Sequence, residues 1–116
     1  MKIFNTHKLG VAQGEAVLFS DFQHNGEMWS GKGQRTHKED VIFPEAFDDV
    51  PMVQVGFSMW DFDSKTNQRV DLSVENIQND RFTIVLKTWG DTRIARVRAS
   101  WIAFGSKRSS DDWDVL

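Results

Sequence analysis

"RVDLSVENIQNDRFTIVLKTW", residues 69–89, decides the fold. Two alternating runs flank a short polar stretch. In the first, Val70, Leu72 and Val74 face one way and Arg69, Asp71, Ser73 and Glu75 the other. In the second, Phe82, Ile84, Leu86 and Thr88 oppose Arg81, Thr83, Val85, Lys87 and Trp89. Period two is the mark of a half-buried strand. If residues 69–77 and 81–89 form a hairpin across 78–80, Leu72 pairs with Leu86 and Val74 with Ile84. Both apolar sets then share one face, which a slip of one residue would destroy. The same register sets Arg69 opposite Trp89 on the polar face.

The pattern extends in both directions. In "VQVGFSM", residues 53–59, Val53, Val55, Phe57 and Met59 share a face. In "IARVRASWIAF", residues 94–104, Ala95, Val97, Ala99, Trp101 and Ala103 oppose Arg96, Arg98 and Ser100, and Ile102 and Phe104 continue that second face. Weaker strand signals lie near "EAVLFSDF" (15–22) and "EDVIFPEAF" (39–47). Turn residues separate the runs in "HNGE", "SGKG", "DSKTNQ", "QNDR" and "WGDT". The expectation is an all-β fold, a six-stranded antiparallel β-sandwich without a long helix.

The chain of 116 residues is read as one domain, 1–116, with a polar tail over 106–116. Five Trp and nine Phe suit a β-rich core. No cysteine is present, which excludes disulfides, cysteine metal sites and cysteine nucleophiles. A net charge of −3 is a poor balance for neutralising phosphates, so no nucleic-acid partner is expected. The first residues, "MKIFNTHKLGVAQGEAVLF", lack an apolar run behind a basic head, and no stretch is long enough to span a membrane. No membrane insertion is expected. The compartment is left open between the cytoplasm, non-classical export and assembly on a particle.

Parity separates two tryptophans. Trp101 points inward with Val97, and Trp89 points outward at a strand end beside Gly90 and Asp91. An outward indole beside an arginine can carry the C–H face of a sugar ring while Arg and Asp serve its hydroxyls. The same pair can be an ordinary cation–π contact, and an outward Trp can be an oligomer contact. Parity leaves all three open.

Residues 51–105 resemble the H-type lectin domain. The resemblance is carried by "PMVQVGFSMWDFD", "NQRVDLSVENIQNDRFTIVLKTWGDT" and "ASWIAFG", with "WSGKGQR" and "VIFPEAF" upstream. It implies a six-stranded sandwich that assembles as a homotrimer, with sites for N-acetylgalactosamine-type sugars at the subunit boundaries. It places Arg69 and Trp89 as sugar contacts. The family's His after the Trp is Gly90 here, an aromatic contact aligns with Ala95, and the neighbouring subunit's acid falls near Gly31 or Lys32, where no acid stands. Asp91 is the available carboxylate. The implied sugar-binding set is therefore Arg69, Trp89, Gly90 and Asp91, closed by Gly31, Lys32 and Gly33 of the adjacent subunit.

Other constellations carry less. His7, His24 and His37 are scattered and read as solvated loop residues, without metal-ligand spacing. "DFDSKTN" lacks the glycine and closing glutamate of a calcium loop, and "GKG" at 31–33 lacks the phosphate-loop spacing. No acid/base pair or activated nucleophile stands out, so neither a cofactor nor an enzyme activity is expected. Arg93, Arg96 and Arg98 share one strand face and need carboxylates, from Glu75 or Asp71 across the sheet, from a neighbouring subunit, or from local pairing. Two functions follow: a carbohydrate-binding protein, or a trimeric structural and cell-adhesion module whose sugar site is degraded.

Overall fold

The computed structural model describes residues 1–4 and 8–107. Six strands form two antiparallel three-stranded sheets. The strands are β1 (Leu9–Phe19), β2 (Arg35–Ile42), β3 (Met52–Phe62), β4 (Val70–Glu75), β5 (Arg81–Thr88) and β6 (Ile94–Ser106). One sheet runs β1-β6-β3 and the other β2-β5-β4. A 3-10 turn (Asp21–His24) and a single helical turn, α1 (Glu27–Ser30), join β1 to β2. The polar tail falls outside the described residues from position 108 on, and its first residue, Ser106, closes β6.

The β4–β5 hairpin has the register that alternation demands: Val70 faces Thr88, Leu72 faces Leu86 and Val74 faces Ile84. Asn76, at φ 51°, turns the chain out of β4. Asn tolerates this left-handed region better than other side-chain-bearing residues. Phe82, Ile84 and Leu86 are fully buried against Val97, Ala99 and Trp101 of the opposing sheet.

β1 begins six residues earlier than its apolar signal. Its inward side carries Gly10, Ala12 and Gly14, while Leu9 and Val11 point out and stay exposed. Large side chains from elsewhere fill the space above the glycines. Gly14 pairs with Trp101, and a Cβ there would stand 2.8 Å from the indole. Gly10 and Gly105 are partners, and Phe47 lies across both. The inward face is formed by glycine and alanine, whose small or absent side chains give little apolar signal.

β2 also lies earlier than expected and stops at Ile42. Pro44 has no N–H for a ladder, and Phe43 and Phe47 turn inward to close one end of the sandwich. There Phe43, Phe47, Phe82 and Trp101 form an aromatic cluster with ring centres 5.1–5.8 Å apart. In β3 a bulge between Phe57 and Met59 breaks the alternation. Met59 consequently faces Arg98 and leaves the row that Phe57 shares with Ala99. A bulge reverses facing in this way because it adds one residue to one strand only.

Two further expectations are corrected. His37 is not a loop residue: it lies in β2, half-buried, edge-on to Phe19 at 5.4 Å and 3.5 Å from Glu39. His24 ends the 3-10 turn, and His7 lies outside the described residues. Arg93 does not share a face with Arg96 and Arg98: it precedes β6, pairs with Asp63 at 3.2 Å and lies over Trp29. The arginines of β6 itself find local carboxylates within their own sheet. Arg96 pairs with Asp61 of β3 at 3.3 Å, and Arg98 reaches Glu15 of β1 at 3.7 Å and Ser58 at 3.0 Å. Glu75 and Asp71 cannot serve them, because β4 belongs to the other sheet.

Candidate functional site

Trp89 follows β5, the central strand of β2-β5-β4, and is 40% exposed on the outer side of that sheet. Arg69 precedes β4 and is exposed. Continuing the ladder one step past Val70–Thr88 sets these two residues side by side. The Arg69 backbone is held from both directions. Its N–H donates to the Thr92 hydroxyl at 3.0 Å, and its carbonyl accepts from the Thr88 hydroxyl. Thr92 in turn donates to the carbonyl of Asn67 at 2.7 Å. The Trp-x-x-Thr turn thus fixes the chain segment that presents Arg69.

Between Trp89 and Asp91 the backbone turns at Gly90, with φ 71°. A side chain there would meet the stem of Arg69 at 3.8 Å, so the glycine keeps this surface low. Asp91 accepts from the Asn67 side-chain amide at 3.1 Å. That bond, helped by the nearby charge of Arg69, holds its carboxyl below the usual carboxylate range. Among the described residues the Arg69 guanidinium donates no hydrogen bond. Among the described residues the cation–π contact joins Arg93 to Trp29, 4.1 Å from the ring centre, and not Arg69 to Trp89. The Trp89 ring is therefore not covered by the neighbouring arginine.

Loop 31–33 of the same chain packs beside the Trp89–Gly90 turn. Gly33, at φ 74°, donates its N–H to the Gly90 carbonyl at 2.9 Å. Gly31 packs so closely that a Cβ would stand 2.5 Å from the Glu27 carbonyl. Lys32 is exposed at the loop tip. No acid joins the site from this loop.

Arg35 is the residue that sequence reasoning missed. It begins β2, is 3% exposed, and its guanidinium donates to the carbonyls of Gly33 (3.0 Å), Met28 (3.3 Å) and Gly90 (3.4 Å). Burial pulls its pKa down, partly offset by the charge of Glu27, yet an arginine remains protonated. One fixed fork of donors ties α1, loop 31–33 and the Trp89–Gly90 turn together. Its position, two residues past a Gly-Lys-Gly loop, is the one sequence signal. Ala95, aligned with an aromatic sugar contact, does not sit at Trp89. It lines a separate hollow with Phe22 and Trp29.

A cavity of about 260 Å³ adjoins Trp89 on the outer side of the sheet, with Gln34, Thr36, Asp71 and Lys87 among its walls. A larger hollow of about 550 Å³ lies on the outer face of β1-β6-β3. Its floor includes Gly14, Gly56 and Ser100, and it is a low patch in a sheet, with Glu15 beside it reaching Arg98. The smaller hollow holds the features of a polar-ligand site, an aromatic face among convergent hydrogen-bonding groups. Among the described residues no cluster of three or more His, Asp or Glu suits a metal ion, and no helix is long and apolar enough to cross a membrane.

Comparison with known proteins agrees with this architecture. Residues 38–104 match the model of the H-type lectin domain. A relative from Fuscovulum blasticum, named "ATP synthase subunits region ORF 7", is 57% identical over 107 residues, covering 92% of this chain and 93% of that protein. Two structures of discoidin II from Dictyostelium discoideum, recombinant and wild-type, superpose with a TM-score of 0.75 at 24% identity. They cover 93% and 91% of this chain, which spans only 41% and 40% of theirs. That likeness is one of fold. The family match covers more than half of the sequence, and the chain belongs to the H-type lectin domain family.

Proposed function

We propose that this protein is a lectin that binds galactose- or N-acetylgalactosamine-type glycans and has no enzymatic activity. The observation that carries the reading is the half-exposed Trp89 beside an exposed Arg69 whose guanidinium, among the described residues, donates no hydrogen bond. The indole is an apolar platform for a pyranose, Arg69 donates to its hydroxyls, and Asp91 accepts from them. The site belongs to a homotrimer and lies at its subunit boundaries. Three weak sites on one particle gain avidity on a repeated glycan surface.

A glycan array with the wild-type protein beside Trp89→Ala, with mass checked on both, tests this. Selective binding that disappears in a still-trimeric Trp89→Ala supports the lectin. Silence across a broad array from a folded trimer sinks it.

One observation favours a second reading, a structural and adhesion module. The outer face of β1-β6-β3 carries an apolar row, Val11–Phe104–Met52, with Val11 and Met52 56% and 46% exposed. Such a row suits burial against other copies of the chain. Under this reading the array stays silent while the assembly persists.

A further inference from the structure

The outer face of β2-β5-β4 is built in rows. At its end stand Gln34, Trp89 and Arg69. The next row is Thr36, Lys87 and Asp71, fixed by the pairings Thr36–Lys87 and Asp71–Lys87. The row after that is Lys38, Val85 and Ser73. Here the surface closes. Lys38 crosses β5 to reach Glu75 at 2.8 Å, and Val85 is left 1% exposed. Beyond it Thr83 donates to Asp40 at 2.7 Å.

The second row differs from its neighbours. Among the described residues the side chains of Thr36, Lys87 and Asp71 make no hydrogen bond or ion pair, although Lys87 and Asp71 are direct cross-strand partners of opposite charge. Together with Gln34 and Trp89 they wall the cavity of about 260 Å³. Uncommitted donors and acceptors thus continue from the Trp89 platform and end at the Lys38–Glu75 bridge. Successive residues on one face of a strand are ~6.8 Å apart, comparable with a hexose ring and its hydroxyls.

We infer that the site takes at least a disaccharide, with one ring on Trp89 and Arg69 and a second, neutral ring over Thr36, Lys87 and Asp71. Lys87 donates to hydroxyls of the second ring, and Asp71 accepts from them. One carboxylate and one ammonium cancel in this row, which suits an uncharged ring. The bridge between Lys38 and Glu75 ends the groove after that unit. This inference rests on the lectin reading above and adds the length of its ligand.

Titration calorimetry tests it. The probes are galactose and N-acetylgalactosamine, then disaccharides extending each with a neutral hexose at every hydroxyl in turn. Wild-type protein is expected to bind one linkage about tenfold more tightly than the single sugar, the scale of one or two net hydrogen bonds. In Lys87→Ala and in Asp71→Ala the ratio of disaccharide to monosaccharide affinity should fall to within about twofold of unity. Circular dichroism on each variant reports the fold. Single sugars that bind without any gain on extension overturn the second subsite and leave the lectin standing, as does a gain that survives in both folded variants. Absence of binding by every probe overturns the lectin reading and this one with it.

Discussion

Gly33 donates its amide to the carbonyl of Gly90 at 2.9 Å, and both glycines hold positive φ, 74° and 71°. Two turns distant in sequence are joined by one backbone hydrogen bond beside Trp89. Neither turn would hold its shape as well alone.

Gly90→Ala is expected to destabilise the fold by about 1–2 kcal/mol, the cost of an L-residue in the left-handed region. Gly33→Ala should cost a similar amount, since a Cβ there meets no atom within 4 Å and only backbone strain acts. Urea unfolding of both variants checks this. A Gly33→Ala as stable as wild type would show that the loop relaxes freely.

Arg35→Met removes donors from four carbonyls, those of Gly33, Glu27, Met28 and Gly90. Leaving buried acceptors unpaired costs about 1–3 kcal/mol each at most, and some will find water. The net loss should lie near 2–4 kcal/mol. Arg35→Lys should recover little, because a single ammonium cannot span the four positions. Full recovery by lysine would refute the clasp.

Thr92→Val keeps the shape and removes the hydroxyl between Arg69 and Asn67. A loss of about 1–3 kcal/mol is expected from the orphaned, part-buried partners. If Arg69 contacts glycan, binding should weaken in this folded variant as well. Calorimetry and thermal melting on one sample separate the two effects.

Gly14→Val places a side chain where the Trp101 indole lies, with its Cβ 2.8 Å away. Overpacking of this kind costs about 1–3 kcal/mol. Restoring Trp101→Leu in the same chain should recover part of the loss, which a double-mutant cycle measures.

Acid should weaken the Asp91 turn. The folded state holds this carboxyl below its ordinary range, first through the Asn67 bond. Its contribution is therefore fully present above the ordinary aspartate pKa and is lost as pH falls through the lowered value. Asp91→Asn should flatten that acid limb of the stability profile. An unchanged limb would show that the contact does not couple to folding.

Much of this protein was legible in its sequence. Alternation in residues 69–89 established the hairpin, its register and the outward position of Trp89 beside Arg69, because a half-buried strand writes its burial directly into period two. It could not show β1 over Leu9–Gly14, where glycines leave room for Trp101 and Phe47 from distant positions. Nor could it foresee Met59 turned outward by a bulge. Only the tertiary structure brought loop 31–33 to Gly90 and buried Arg35 between them. It alone showed that Asp61 and Glu15, not Glu75 or Asp71, answer the arginines of β6. Those outcomes depend on which strands become neighbours in which sheet, and local alternation carries no information about that choice.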